Sequence, residues 1–301
     1  MTETFVFGAA GFIGRHMVNE AGSGMLSLVT RSLNKGASEG HWLEADLLKP
    51  QTLDKILTPG SSVINLAYSA SATADDNIKM AENLVQACVR AKVSRLVHCS
   101  TAVVAGANGS PIIDEHSECL PSTIYEKNKH DIEMIFMGAA NRGLKVYVLR
   151  PTAVIGPGGQ NLKKMLSEIL EGNNVTNFIR SSIHGKRKLN LVPVKDVVRA
   201  LFHLCKQSSI PSGIYICSAD DDPDNRYDRV EEIMREVLKK ERRMPSLRLP
   251  GNILDILLKT GRAGSGQFAN RHYSSEKLFS TGFQRTEKIS DAVREFVLSE
   301  V

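Results

Sequence analysis

Over the first 150 residues, short apolar runs alternate with longer stretches whose apolar positions recur every three or four residues. The runs 4–7, 26–30, 42–44, 62–67, 95–100 and 145–149 read as strands. The stretches 74–92 and 125–142 read as amphipathic helices. Strands that alternate with helices predict an α/β chain with a parallel, doubly wound sheet. In such sheets ligands bind beyond the carboxyl ends of the strands, so chemistry is expected in the loops that follow them. Past "RPTAVIGPGG" (150–159) helical patterns dominate, with strand-like "KLNLVPV" (188–194) and "GIYIC" (213–217) among them. That change predicts a smaller C-terminal lobe, with part of the chain returning to the sheet near 188–217.

Composition narrows the class. The chain has 301 residues, 42% hydrophobic and 24% charged, which suits one large two-lobed unit or two ordinary domains. No apolar run approaches the roughly 20 residues that span a bilayer, and "MTETFVFGAAGFIG" has no basic leader. A cytoplasmic protein without membrane contact is expected. Cys88, Cys99, Cys119, Cys205 and Cys217 form no CxxC pair, so reduced thiols are expected and no metal site. A net charge of +5 suits anionic small molecules without requiring nucleic acid, and the basic clusters at 184–188 and 239–243 lack interleaved aromatics.

Three motifs carry chemistry. "GAAGFIG" sets Gly8, Gly11 and Gly14 directly after the first strand. Gly8 permits a tight turn, Gly11 admits a pyrophosphate to the backbone, and Gly14 lets the helix pack on the strand. The amides of Phe12, Ile13 and Gly14 would then face the phosphates at a helix N-terminus. "YEKNK" sets Tyr125 and Lys129 four residues apart on one helix face. A nearby ammonium is expected to lower the phenol's proton affinity from its usual value near ~10. "VHCSTAVVAG" ends a strand on Ser100 and Thr101, whose hydroxyls suit a substrate oxygen.

"CSTAVVAG", then "YEKNK", then "LRPTAVIGPGG" together resemble the extended short-chain dehydrogenase/reductases, the epimerase/dehydratase-like enzymes that modify nucleotide sugars. The resemblance implies a Rossmann-type fold and a catalytic triad of Thr101, Tyr125 and Lys129, with Lys129 also on the cofactor ribose. It implies cofactor contacts from Leu66, Ala67 and Tyr68 of "VINLAYSA", from Pro151, and from Asp46 and Leu47 beside the adenine. It divides the chain into a cofactor-binding domain, 1–155 with the returning segments, and a substrate-binding lobe, 156–187 and 218–301. It implies a homodimer through helices 74–92 and 125–142, although Met80, Leu84, Ile132, Ile135 and Met137 would equally serve to face the sheet. Ala102 and Val103 stand where dehydratases of this group carry an Asp-Glu pair, and Val103 where 3,5-epimerases carry a Cys. Neither side chain exchanges protons, which leaves hydride chemistry at one carbinol.

Relatives that select NAD hold the adenosine 2′-hydroxyl with an acid at the end of the second strand. Between Glu20 and Glu39 this chain has none; Thr30, Arg31 and Ser32 stand there, with Arg15 after Gly14. A guanidinium flanked by hydroxyls suits a 2′-phosphate, so NADP(H) is expected ahead of NAD(H). Net reductases need an exchangeable reductant, so an NADPH-dependent ketoreductase acting on a nucleotide-linked keto sugar is favoured. The alternatives are a nucleotide-sugar 4-epimerase and a non-catalytic NADP(H)-binding regulator. Lys186, Arg187, Lys188, Arg248 and Arg271 are the candidate cations for a substrate diphosphate, with Ser100 and Val103 lining the substrate side.

Overall fold

The computed structural model describes residues 3–21, 26–33, 40–172, 185–207, 209–240 and 271–301. Its elements run β1 (Thr4–Phe7), α1 (Phe12–Ala21), β2 (Ser27–Thr30), β3 (His41–Glu44), α2 (Pro50–Leu53), β4 (Ser62–Asn65), α3 (Ala74–Arg90), β5 (Arg95–Cys99), β6 (Ile112–Ile113), α4 (Ile124–Gly138), β7 (Lys145–Pro151) and β8 (Ala153–Ile155). They continue through α5 (Lys163–Glu171), β9 (Leu191–Pro193), α6 (Val194–Lys206), β10 (Gly213–Cys217), α7 (Tyr227–Val237), β11 (His272–Tyr273), α8 (Glu276–Phe279) and α9 (Ile289–Glu300).

Seven strands form one parallel sheet in the order β10-β7-β5-β4-β1-β2-β3. The strands are apolar because both faces are covered. On one face Met17 of α1 and Val197, Val198 and Leu201 of α6 pack against Val6, Leu28, Val97 and Tyr147. On the other, Leu84 and Val85 of α3 and Ile132 and Phe136 of α4 pack against Phe5, Val63, Leu96 and Val148. This is the Rossmann-type architecture expected. A third cluster joins α5, α7 and α9 through Leu166, Ile233, Met234, Val293 and Phe296.

Strand order reverses between β1 and β4, and this switch point fixes where the loops after β1 and β4 converge. β4 ends at Asn65, two residues before the apolar pattern does. The Asn65 side chain is the reason: its Oδ1 accepts from the Ala67 amide at 3.1 Å and turns the chain out of the sheet. The helical pattern 125–142 divides into α4 and a tight 3-10 turn, Ala139–Arg142, closed by Gly143 at φ +80. Met80, Leu84, Ile132, Ile135 and Met137 all pack on the core beneath α3 and α4, so of their two expected orientations the sheet-facing one is found. All five cysteines are free thiols. Among the described residues no helix is long and apolar enough to cross a membrane.

Candidate active site

The turn after β1 is shaped by contact. Gly8 has φ +80, and a Cβ there would lie 2.8 Å from the Ala67 nitrogen and the Leu66 carbonyl carbon. The backbones of the β1 and β4 loops therefore touch, which only glycine allows. At Gly14 a Cβ would collide with the Ala9 backbone. Gly11, by contrast, has only the Gly8 carbonyl near its Cβ position and leaves open space outward. A helix leaves its first amides without partners inside the helix, so the start of α1 offers donors at this opening. These features fit a dinucleotide pyrophosphate. Ile13 turns into the core, while Phe12 lies 3.2 Å from the Cβ position of Gly159 and stacks edge-on with His16. His16 Nε2 in turn meets the Pro157 carbonyl at 2.9 Å. The "GPGG" loop after β8 is thereby clasped onto α1, a contact the sequence analysis did not anticipate.

Arg31 is exposed at the end of β2, where Thr30 Oγ1 donates to the Ser32 carbonyl at 3.3 Å. Arg15 is also exposed, but its guanidinium donates to the Ala10 carbonyl at 3.1 Å and lies near Gly158. In this structure it serves the glycine turn, not the Arg31 turn. An acid missed in the sequence stands at that turn. Glu44 at the end of β3 is paired in register with Thr30, and its Oε2 accepts from the Leu33 amide at 3.4 Å. The signal was an acid closing the neighbouring strand, beyond the segment searched. Asp46 accepts from the Leu48 amide at 3.0 Å and shapes the entry to α2, and Leu47 is buried in the core.

Beyond β4, two side-chain amides hold the loop. Asn65 fixes Ala67 as described. Asn77, buried in the first turn of α3, accepts from the Ser69 amide and donates to the Ser69 carbonyl, each at 2.9 Å. Tyr68 lies between these two anchored residues. Its ring meets Tyr125 edge-on at 5.5 Å between centroids, and Lys129 Nζ stands over its face, 4.7 Å from the centroid.

Tyr125 and Lys129 ride on the first two turns of α4. The helix begins with a full capping box: Thr123 Oγ1 accepts from the Glu126 amide, and the Glu126 carboxylate accepts from the Thr123 amide, each at 3.2 Å. Asn128 bonds the Ala74 carbonyl of α3 at 3.0 Å, and Glu133 grips Arg150 of β7 through three buried hydrogen bonds of 2.6–3.1 Å. Tyr125 is 44% exposed while Lys129 is buried, with its ammonium donating to the Cys99 carbonyl at 3.4 Å. Burial, then Tyr68, then Cys99, holds the Tyr125 phenol above its ordinary value, and burial pushes the Lys129 ammonium down. The expected lowering of the phenol is not found: burial, the largest cause, raises it instead.

Ser100 and Thr101 follow β5 at the same edge of the sheet. The Ser100 hydroxyl is buried without a protein partner, and Thr101 caps the 3-10 turn Ala102–Ala105 by accepting from the Val103 amide at 3.4 Å. Pro151 is buried at the end of β7. The loop from Val103 to Tyr125 carries exposed apolar side chains: Val103, Ile112, Leu120 and Ile124. Of the expected diphosphate cations, Lys186 is exposed and Arg187 half-buried. Lys188 Nζ is engaged with His272 Nδ1 at 3.1 Å and the Asp220 carbonyl at 3.5 Å. Arg271 is buried against the carbonyls of Gly106, at 3.0 Å, and Asn108. Arg248 lies outside the described residues. A separate cavity of about 1530 Å³ opens at the opposite, amino ends of the strands, lined by Thr4, Ser62, Arg95, Arg199 and Phe283; it contains none of these groups.

Residues 4–217 match the NAD dependent epimerase/dehydratase family, and the chain belongs to that family of NAD(P)-dependent enzymes. It is similar to "Sterol demethylase protein B" of Methylococcus capsulatus, 27% identical over 217 residues, covering 65% of this chain and 63% of that protein. It is also similar to "3beta-hydroxysteroid-dehydrogenase/decarboxylase isoform 1" of Arabidopsis thaliana, 28% identical over 167 residues, covering 53% of this chain and 36% of that one. The match thus spans less than two thirds of either relative. In fold it resembles a UDP-N-acetylglucosamine 4-epimerase from Methanobrevibacter ruminantium, with a TM-score of 0.75, 20% identity and coverage of 100% of this chain and 99% of that one.

Proposed function

We propose that the protein is an oxidoreductase that interconverts a ketone and an alcohol, working as an NADPH-dependent reductase of a nucleotide-activated keto sugar. The observation that supports this most is that Tyr125 and buried Lys129 meet at the Tyr68 ring, at the carboxyl edge of the sheet that carries the glycine turn. Bound nicotinamide would supply or accept the hydride. Tyr125 gives a proton to the substrate oxygen in reduction and takes it back in oxidation. Thr101, and the unpartnered Ser100 hydroxyl, donate hydrogen bonds to the same oxygen. Lys129 would hold the cofactor ribose. Exposed Arg31, between Thr30 and Ser32, supports a 2′-phosphate, and an exchangeable NADPH supports net reduction over epimerisation; Glu44 is the neighbour that would favour NAD instead.

A second reading concerns the substrate. The apolar rim of Val103, Ile112, Leu120 and Ile124, with Lys188 and Arg271 already engaged, favours an apolar ketone or alcohol, the class named in the sterol-related proteins to which the chain is similar. Following nicotinamide absorbance with NADPH and NADH, against nucleotide 4-keto sugars and against oxo- and hydroxysteroids, separates the two. Tyr125→Phe is expected to lower kcat at least about 100-fold while still binding cofactor. Undiminished turnover by that variant would refute the mechanism. Epimer interconversion by tightly held NAD, with no net oxidation of NADPH, would refute the reductase.

A further inference from the structure

Resting on that reading, we propose that Tyr68 is a positioning residue for the proton-transfer pair: its ring fixes where the Lys129 ammonium stands and which edge Tyr125 presents. Its ring touches both members, edge-on to Tyr125 at 5.5 Å and face-on to Lys129 Nζ at 4.7 Å. The backbone on each side of it is clamped, Ala67 by Asn65 and Ser69 by Asn77. The Leu66–Ala67 peptide before it packs so closely on Gly8 that a Cβ there would lie 2.8 Å away. A ring mounted so firmly is a fixed wall, not a surface side chain that happens to lie nearby.

The consequence is a division of the lysine's interactions. An ammonium over an aromatic face gains electrostatic attraction, more when desolvated, and Lys129 is buried. The ammonium also donates to the Cys99 carbonyl at 3.4 Å. Tyr68 thereby keeps the positive charge off the phenol. The groups that bear on this pair come from every neighbouring element. Tyr68 and Cys99 face the phenol; Cys99 and His98 of β5 and Glu133 of α4 face the ammonium, with Glu133 itself held by Arg150 of β7. Cys99 bears on both as well, but Tyr68 is the aromatic ring that meets both side chains. Burial first, then the neighbouring Tyr68 and Cys99, holds the Tyr125 phenol above its ordinary value.

The test compares Tyr68→Phe, which keeps the ring, with Tyr68→Leu, which fills similar space without a π face. Both are assayed by the pH profile of kcat/KM, alongside Tyr125→Phe. The expected result is a Phe variant that loses several-fold less in kcat than the Leu variant. The Leu variant should lose about tenfold in kcat, with the ionisation of Tyr125 moved to lower pH. Circular dichroism confirms folding, and Tyr68→Met replaces the Leu variant if that one unfolds. A purely structural role would lower the amount of folded enzyme without moving the ionisation. If both ring-free and ring-bearing variants keep the parent profile while Tyr125→Phe is inactive, the role of Tyr68 is overturned and the mechanism stands. If Tyr125→Phe remains active, both fall.

Discussion

Single residues set the chemistry through their immediate surroundings. Reduction requires a neutral phenol at Tyr125, and its raised proton affinity favours the neutral form. Reductive kcat/KM is therefore expected to stay level from neutral pH to about 10 and fall above it, whereas oxidation rises toward the same limit. Initial rates in both directions check this. A break near neutral pH would show that Lys129 leaves Tyr68 and approaches the phenol during turnover. At the end of β2, one guanidinium competes with one carboxylate. Arg31→Asp is expected to weaken NADPH relative to NADH by about ten- to a hundredfold, the scale of one charge-assisted bond. Glu44→Gln should shift selectivity the opposite way, and cofactor titrations by nicotinamide fluorescence decide. Arg31 was legible because it breaks an expected pattern in a contiguous segment. Glu44 was not, because its relevance depends on the β2–β3 register, which brings residues 30 and 44 side by side.

Elements matter here as mounts. The capping box fixes the first turn of α4, Asn128 ties that helix to α3, and the Glu133–Arg150 pair ties it to β7. Removing one member of a buried, hydrogen-bonded ion pair strands the other charge. Glu133→Gln is therefore expected to cost about 3–5 kcal/mol in urea unfolding, and Glu133→Leu combined with Arg150→Met to recover most of it. Equal losses in the single and double variants would contradict that. Periodicity exposed the strands and helices of the first 150 residues because each is buried on a predictable face. It did not expose the ends set by side-chain bonds, such as Asn65 turning β4 outward. Nor did it reveal the engagement of Lys188 and Arg271, whose partners are distant in sequence, from His272 at 84 residues to Gly106 at 165.

At the scale of the molecule, the sheet buries a histidine that must stay neutral. His98 accepts from Asn65 Nδ2 at 3.1 Å and stacks on Phe136. Burial, helped by Lys129, lowers its proton affinity well below 6.5. The unfolded chain thus binds a proton that the folded one refuses. Stability is level above pH 6.5 and is expected to fall by about 1.4 kcal/mol per unit below it, until the folded value is reached. Thermal unfolding across pH 5–8 checks this against His98→Gln, in which that slope should be reduced.

The pairing of β11 with β6, and of Arg271 with the carbonyls of Gly106 and Asn108, has a temporal meaning. The glycine turn and the backbone clamps on the loop holding Tyr68 lie within residues 8–77. The stretch between Thr101 and Tyr125 is bonded by residues 271–274, through Arg271 to Gly106, His272 to the Pro111 carbonyl and Ser274 to the Ile113 carbonyl. On a chain that emerges amino end first, the glycine-turn side can form early, whereas the opposing wall waits for a segment 165 residues beyond Gly106.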